Sequence, residues 1–494
     1  MTSTGGPDEG RTEAARDHRR RLVGRVVAVA AFVVMLALPP PEGLTSDSWR
    51  VAAAGTLLAV LWLTEAIPVA ATALLPLVVF PLLGIASIDE TAAPYANPII
   101  FLFLGGFLIG LAMERSNLHR RIALSVLSRV GAREDRQIAG FMLATAVLSM
   151  WVSNTATAVM MLPVALSIVP RDADGSIAPD RRRFAVALLL AVAYGANIGG
   201  VATLIGTPPN ALLAAFMHDA YGVTIGFAQW MLVGVPLAGL MLVLCWFLLT
   251  RMLFRVGQSE SKSARDELRR TLADLGSRSP AEKRVAIVFI ATATLWIMRP
   301  LAARLLPQLA LSDTVIAMAG ALLLFVIPSG RARGDYLLSW RYAERLPWGV
   351  LLLFGGGLSL AAAVSDSGLA QAIGDGLRSL DTWPVLLIVI VVTVVIIFLT
   401  ELTSNTATAA TFLPVVAALA ASLDLDPMLL AIPAALAASF AFMLPVATPP
   451  NAIVFGSGHI RIQEMARAGI WLNILGTAAI VIAAFLLVPL VFGV

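Results

Sequence analysis

The sequence predicts an all-α polytopic membrane protein with about 11 transmembrane helices and two re-entrant hairpins, arranged as an inverted-topology repeat. Three observations predict this fold class. The composition is strongly apolar, two polar motifs each occur twice in the same order, and corresponding loops of the two copies differ in charge. These observations predict, in turn, spanning helices, duplication and inversion.

The chain has 494 residues, of which 59% are hydrophobic and 13% charged, and its mean hydropathy is +0.86. A soluble protein of this size needs more polar surface, so the composition excludes a soluble multidomain enzyme. One membrane-crossing helix takes about 20 residues, which leaves room for roughly ten or more such helices.

Two residue types exclude further classes of protein. The single cysteine, Cys245, excludes a disulfide framework and a cysteine-based metal site. Lysine occurs only at Lys262 and Lys283, and neither lies in a glycine-rich phosphate loop or a phosphorylation motif. We therefore do not expect ATP to supply energy through this chain. No constellation of catalytic or metal-ligating residues is evident either, so we do not predict an enzyme.

Apolar runs divide the chain into four regions. These are a cytoplasmic polar tail (1–25), a first repeat (26–255), a cytoplasmic connector (256–283) and a second repeat (284–494). Two apolar stretches, 138–169 and 404–422, do not fit as single spans and are predicted to enter the membrane and return. The other apolar runs lie near 26–40, 51–66, 69–86, 98–113, 184–205, 226–250, 285–305, 313–328, 347–364, 384–402, 428–446 and 468–492, with a break near 444–458.

Basic residues orient the predicted spans, because Lys and Arg favour cytoplasmic loops. If both hairpins return to the side they entered from and the N-terminus is inside, 31 of the 35 basic residues are cytoplasmic. The sequence thus predicts a multi-pass protein of the plasma (inner) membrane, with a cytoplasmic N-terminus and an external C-terminus. The basic residues outside this pattern are Arg50, Arg299, Arg304 and Arg378.

Internal similarity is the most specific feature of the sequence. The first SNT motif, residues 153–164 (SNTATAVMMLPV), and the second, residues 404–415 (SNTATAATFLPV), are identical at nine of twelve positions. A TPPN motif follows each of them, at residues 206–211 (GTPPNA) and 447–452 (ATPPNA). Chance matches between alanine-rich helices would not reproduce two polar motifs in the same order, so the chain is a duplicated unit.

Charge predicts how the two copies are oriented. The loop 114–136 has six Arg and three acidic residues, whereas its counterpart, 365–381, has one Arg and three Asp. Equivalent loops on opposite sides of the membrane would show this difference. In an inverted-topology repeat the substrate site lies near the membrane midplane, where the copies meet.

Both kinds of motif are typical of broken membrane helices. Paired prolines cannot continue a regular helix, and unwound backbone survives at membrane depth only where protein or a water-filled cavity covers it. Ser, Thr, Asn and free carbonyl groups offer neutral oxygen ligands for a hard cation such as sodium, and helix N-termini attract anions. Neither motif contains Lys, Arg or His, so an anion must be neutralised by helix dipoles, by co-bound cations or by both. This pattern favours cation-coupled anion transport.

The paired SNT and TPPN motifs, with WLTEAIP at residues 62–68, closely resemble the divalent anion/sodium symporter family, which includes sodium-dependent dicarboxylate and citrate transporters. The resemblance extends from about residue 25 onward. It implies a homodimer whose scaffold domain supports a transport domain that carries the site across the membrane in an elevator motion.

The same resemblance implies site residues for sodium and for a dianionic substrate. One sodium site would use Ser149, Ser153, Asn154 and the Gly206 carbonyl group. Its symmetry mate would use Thr400, Ser404, Asn405 and the Ala447 carbonyl group. Substrate carboxylates would meet Asn154, Thr155, Thr207 and Pro208 on one side, and Asn405, Thr406, Thr448 and Pro449 on the other.

The resemblance implies sodium-coupled symport of a divalent anion, most simply a C4-dicarboxylate such as succinate, malate or fumarate. Alternatives are an anion exchanger without sodium coupling and a transporter of sulfate or citrate; a channel ranks behind these. Single SNT motifs can also be interhelical hydrogen-bond contacts. Glu65 and Glu401 are the acidic residues nearest the membrane interior. For Glu401 two roles stay open, a structural hydrogen-bond partner and an influence on the second cation site or on a proton.

Overall fold

A computed structural model describes residues 7–169, 181–257, 262–305, 308, 311–330, 334–376 and 382–493. Five charged residues of the orientation analysis lie outside this part: Arg171, Arg331, Arg333, Arg378 and Asp381. The described part is helical throughout, apart from one isolated bridge between Pro328 and Tyr336, and this confirms the predicted all-α class.

The described residues form 23 α-helices, one 3-10 helix (Ala93–Ala96) and one π-helix (Leu248–Leu253). α1 (Pro7–Ala37) begins in the predicted polar tail and continues into the first repeat. The first repeat also contains α2 (Ser46–Thr64), α3 (Val69–Thr72), α4 (Pro76–Leu83), α5 (Ile88–Ala92), α6 (Pro98–Ser116), α7 (Leu118–Leu127), α8 (Glu134–Ser149), α9 (Asn154–Ile168), α10 (Arg182–Val201), α11 (Pro208–Tyr221) and α12 (Phe227–Phe247). The connector and second repeat contain α13 (Lys262–Asp274), α14 (Pro280–Leu305), α15 (Asp313–Val326), α16 (Trp340–Ala343), α17 (Trp348–Asp366), α18 (Leu369–Gly376), α19 (Val385–Thr400), α20 (Asn405–Ser422), α21 (Met428–Ala438), α22 (Pro449–Phe455) and α23 (Ile462–Phe492).

Seven helical stretches of the described residues are long and apolar enough to cross a membrane. One of them, Asn405–Ser422, is the helix that the sequence analysis assigns to a hairpin. Five shorter apolar helical stretches accompany them, so the total of about 11 spans stays a prediction. The seven are Ile88–Ser116, Arg182–Val201, Phe227–Leu253, Pro280–Leu305, Trp348–Asp366, Asn405–Ser422 and Ile462–Phe492.

The SNT motifs begin helices after breaks of equal length. α8 ends at Ser149 and α9 begins at Asn154, while α19 ends at Thr400 and α20 begins at Asn405. The two breaks are therefore 251 residues apart at both edges, the same spacing as the sequence motifs. Helices α7 and α18 show the same spacing of 251 residues, since they begin at Leu118 and Leu369.

The TPPN motifs also begin helices. Pro208 and Pro449 are the first residues of α11 and α22, where the missing N–H group of proline costs nothing. α11 packs against α20, and α22 packs against α9. Each TPPN helix thus contacts the SNT helix of the other repeat, and the two halves interlock around α10, which is buried from Phe184 to Val201.

The connector carries the amphipathic helix α13, which packs on α7 and α9. Leu268 is buried in this contact. Arg121 of α7 donates hydrogen bonds to the carbonyl groups of Leu275 and Gly276 in the turn that follows α13. Arg121 also forms an ion pair with Glu282, at 2.9 Å. The connector therefore docks beside the first SNT helix.

Candidate functional site

The first predicted sodium set comes together at the break between α8 and α9. Ser149 Oγ donates a hydrogen bond to Asn154 Oδ1 at 2.5 Å, and Ser153 caps α9 by accepting from Ala156 N. A Cβ built on Gly200 would lie 2.8 Å from Asn154 Oδ1 and 3.0 Å from the carbonyl oxygen of Gly206. The amide of Asn154 and the Gly206 carbonyl therefore share one small space, kept open because residue 200 has no side chain.

The asparagine that ends each TPPN motif holds the unwound backbone before it. Asn210 Nδ2 donates to the carbonyl oxygens of Val201 (3.2 Å) and Thr203 (2.9 Å). In the second repeat, Asn451 Nδ2 donates to Ala441 (3.2 Å) and Leu444 (3.1 Å). Both asparagines are fully buried. Both residues belong to the TPPN motifs, but the sequence predicted no separate role for them.

The second predicted sodium set is only partly joined by hydrogen bonds. Thr400 Oγ1 lies 2.8 Å from Asn405 Oδ1 and 2.9 Å from the Ala438 carbonyl oxygen. Ser404 begins α20 without capping it through its side chain, unlike Ser153 in the first repeat. Ala447 is buried, and no described contact links it to Asn405. The two sets are therefore related in spacing but not identical in geometry.

Two buried side chains outside the motifs, Asn197 and Ser439, form hydrogen bonds between the two repeats near the TPPN motifs. Asn197 Nδ2, from α10, donates to Thr448 Oγ1 (3.0 Å) and Asn451 Oδ1 (3.2 Å) of the second TPPN motif. Thr207 Oγ1 of the first TPPN motif lies 3.5 Å from Ser439 Oγ at the end of α21. The sequence analysis missed Asn197 and Ser439; their only signal is a polar residue within an apolar helix.

Glu401 lies at the break between α19 and α20 and is 3% exposed. Its carboxylate accepts hydrogen bonds from the backbone N–H groups of Phe442, Met443 and Leu444, at 2.7 to 3.1 Å. Asn473 Nδ2 donates a further bond at 2.9 Å. Glu401 is therefore a structural hydrogen-bond partner, one of the two roles that the sequence left open. It directly follows Thr400 of the second predicted sodium set.

A cleft of about 620 Å³ reaches the first SNT motif. It is lined by Ser153 and Thr155, and also by Tyr342 of α16 and Arg345 of the segment between α16 and α17. Thr155 is exposed to this cleft. The guanidinium groups of Arg115 and Arg345 each lie 4.7 Å from the centre of the Tyr342 ring. Arg115 is paired with Asp335 at 2.6 Å, and Glu114 lines the same cleft, so acidic groups offset most of the arginine charge there.

His119 also lines this cleft and is nearly buried. Burial lowers the pKa of His119, and the charge of Arg120 lowers it further, although Nδ1 lies 3.0 Å from the Met113 carbonyl oxygen. The imidazole is therefore neutral at neutral pH and adds no positive charge to the cleft.

The predicted substrate residues do not all reach one cavity. Thr155 lines the cleft, Asn154 and Pro208 are half-buried, and Thr207 is buried. Of the second set, Asn405 is half-buried and Pro449 exposed, Thr406 and Thr448 are buried, and none of the four is among the described residues that line the cleft. In this conformation the cleft therefore opens onto the first motif alone.

The described residues contain no group of three or more His, Cys, Asp or Glu side chains that could hold a metal ion. Apart from the Glu401 carboxylate, which faces the 442–444 backbone, the oxygens gathered at the breaks are hydroxyl, amide and carbonyl groups, which suit a hard cation. Sodium at these positions would be cargo that moves with the substrate.

Comparisons with known proteins agree with this chemistry. The family described as "Sodium:sulfate symporter transmembrane region" matches residues 19–493. A sodium-dependent dicarboxylate transporter of Staphylococcus saprophyticus is 43% identical over 480 residues, which cover 96% of this chain and 92% of the relative. The transporter of the same name from Staphylococcus aureus strain USA300 is 41% identical with the same coverage.

Two solved structures share the fold at low sequence identity. The YdaH transporter of Alcanivorax borkumensis superposes with a TM-score of 0.55 at 14% identity, covering 91% of this chain and 99% of the other. MtrF of Neisseria gonorrhoeae, described as an antimetabolite efflux pump, gives a TM-score of 0.57 at 14% identity, with 95% of each chain covered. At this identity the likeness concerns the fold alone.

Proposed function

The chain belongs to the sodium:sulfate symporter family, and from that premise we propose that it couples sodium entry to uptake of a C4-dicarboxylate such as succinate, malate or fumarate. It is a multi-pass membrane transporter and not an enzyme, as the sequence predicts. The similar Staphylococcus proteins are named sodium-dependent dicarboxylate transporters, which favours dicarboxylate over sulfate or citrate as the substrate.

One observation carries the coupling mechanism. The two SNT breaks gather neutral oxygens, and no Lys, Arg or His lies within either motif. A dianion bound there without a countercharge would pay several kcal/mol of desolvation, which sodium bound at the adjacent oxygens offsets. Sodium therefore binds with the substrate and makes anion binding favourable.

We assign the sodium ligands of the first site to Ser149, Ser153, Asn154 and the Gly206 carbonyl. The second site uses Thr400, Ser404, Asn405 and the Ala447 carbonyl. The substrate carboxylates contact two groups of residues, Asn154, Thr155, Thr207 and Pro208 on one side, and Asn405, Thr406, Thr448 and Pro449 on the other. The bonds from Asn197 to Thr448 and Asn451 support the proposal, because they join α10 of the first repeat to the second TPPN motif.

The transport cycle follows from the proposed architecture. The protein has about 11 spans and two hairpins in an inverted repeat, with the N-terminus cytoplasmic, and it forms a homodimer. The interlocked helices α8–α11 and α19–α22 move as one elevator-type transport domain against a scaffold of the remaining spans. The cleft beside Ser153 is its cytoplasmic opening, which agrees with the predicted cytoplasmic placement of most Arg and Lys residues.

Uptake of labelled succinate into proteoliposomes tests this function. We expect accumulation when an inward sodium gradient is imposed, and none when choline replaces sodium on both sides. Vesicles preloaded with unlabelled succinate provide the control for exchange. Sodium-independent uptake that requires preloading would support the exchanger and overturn sodium symport. Competition by sulfate or citrate at lower concentration than succinate would overturn the substrate assignment.

A further inference from the structure

A second cavity, of about 510 Å³, lies where three helices end. It is formed by the start of α10, the π-helix that follows α12, and the start of α23. It shares no lining residue with the cleft beside the first SNT motif. Its basic lining residues are Arg182, Arg183, Arg255 and Arg467, and its one acidic residue is Glu464.

Glu464 neutralises only one of these four arginines. Arg182 forms a double hydrogen bond with the Glu464 carboxylate, at 2.5 and 2.9 Å, and the backbone N–H of Arg461 donates to the same carboxylate at 2.9 Å. The other three, Arg183, Arg255 and Arg467, are exposed and make no ion pair with a described residue. The cavity therefore keeps a net charge of about three positive units.

The helix ends at this cavity add to the positive potential. α10 begins at Arg182 and α23 begins at Ile462, so two long helices direct their free N–H groups to the same region. Each N-terminus carries roughly half a positive charge. The arginine side chains and the helix N-termini therefore both attract an anion.

The remaining wall of the cavity is apolar. Met252, Leu253 and Phe254 line it, and Met252 is 52% exposed. Ile462, beside the arginines, is 50% exposed. All of these residues lie at the ends of helical stretches that are long and apolar enough to cross a membrane. The ends of such spans are expected at the headgroup region of a bilayer. A small soluble anion would leave this apolar wall uncovered.

We propose that this cavity binds the phosphate headgroup of an anionic phospholipid. Arg183, Arg255 and Arg467 contact the phosphate, and the acyl chains cover Met252 and Phe254. Basic pockets between spanning helices on the cytoplasmic side are suited to such headgroups. This site is separate from the SNT motifs, so the proposal does not depend on sodium coupling or on the identity of the transported anion.

Titration of the purified, detergent-solubilised protein with short-chain phosphatidylglycerol tests the site, with the unfolding midpoint and native mass spectrometry as readouts. We expect phosphatidylglycerol to bind and to raise the midpoint, and short-chain phosphatidylcholine to do so far less. In the triple variant Arg183→Gln, Arg255→Gln, Arg467→Gln, we expect the affinity to fall on the order of 100-fold. Equal affinity in the triple variant and the wild type would overturn the proposal.

The connector supplies a matched control. Arg269, Arg270 and Arg278 are exposed, so their joint replacement by Gln removes the same charge elsewhere and should leave the lipid affinity unchanged. Glycerol phosphate and inorganic phosphate separate a lipid from a free anion. If either raises the midpoint at the concentration at which phosphatidylglycerol does, the lipid assignment is wrong. Should the triple variant not fold, Arg183→Gln and Arg467→Gln alone are each expected to weaken binding, and unchanged affinity in both would also overturn the proposal.

Discussion

Gly200 is the position at which one added methyl group tests the first sodium site most sharply. A Cβ there would lie 2.8 Å from Asn154 Oδ1, 2.9 Å from Asn154 Nδ2 and 3.0 Å from the Gly206 carbonyl oxygen. Optimal contacts between non-bonded atoms are about 3.5 Å or longer. Gly200→Ala therefore has to displace two of the groups that we propose as sodium ligands.

The size of the effect follows from the cost of overpacking. Adding a methyl group to a well-packed site costs about 1–3 kcal/mol. If this cost falls on the sodium-bound form, the sodium affinity decreases roughly 5- to 140-fold, since about 1.4 kcal/mol corresponds to a factor of ten. The TPPN motifs lie 241 residues apart, and by this spacing the second repeat carries Ala441 in place of Gly200, so we expect its sodium site to differ in geometry from the first.

The sodium dependence of succinate uptake into proteoliposomes measures this effect. We expect Gly200→Ala to raise the half-saturating sodium concentration within the calculated range. Gly239→Ala is the control, because it lies in α12 with no heavy atom within 4 Å of the added Cβ. A helix-interior Gly→Ala change of this kind is stabilising by up to about 1 kcal/mol and should leave sodium dependence unchanged.

The unfolding midpoint of each variant shows whether it is folded. A folded Gly200→Ala protein with the same half-saturating sodium concentration as Gly239→Ala would refute the placement of sodium between Asn154 and Gly206.

Three further predictions concern the two SNT motifs, Glu401 and the topology. Asn154→Ala and Asn405→Ala should each severely reduce transport with near-normal expression and dimerisation; normal transport by both would make the SNT motifs packing features. Glu401→Gln replaces one acceptor oxygen with an NH₂ group that faces backbone N–H donors. Because each buried N–H left unpaired costs about 1–3 kcal/mol, we expect the half-saturating sodium concentration for uptake to rise about tenfold or more. An unchanged value would limit Glu401 to packing. In a cysteine-free background, an impermeant thiol reagent added outside cells should label a cysteine at Ser422 but not one at Ser277, and equal labelling would contradict the inverted repeat.

The sequence predicted the features that depend on local chemistry. Prolines at 208 and 449 begin helices, and the SNT motifs follow breaks at the same spacing, because these effects arise within a few residues. Ser149, Asn154 and Gly206 were also brought together as the family resemblance implies.

Contacts made across the fold were not predictable in the same way. Asn197 reaches the second TPPN motif from a helix of the other repeat, and Ser439 meets Thr207 across more than 200 residues. The partners of Glu401 are backbone groups of an unwound segment 41 to 43 residues away in sequence. The space at Gly200 likewise exists only because α10 packs beside the break before α9. None of these contacts has a signature in a single sequence, since they depend on how the two repeats interlock.

Equilibrium binding of labelled succinate to the purified protein, in sodium and in choline at equal ionic strength, tests the central claim most directly. It measures whether bound sodium, and no cationic side chain, neutralises the dianion at the SNT motifs. We expect saturable binding in sodium and an affinity at least about 100-fold lower in choline, because an uncompensated buried charge costs several kcal/mol. Equal affinity in the two cations would contradict the account.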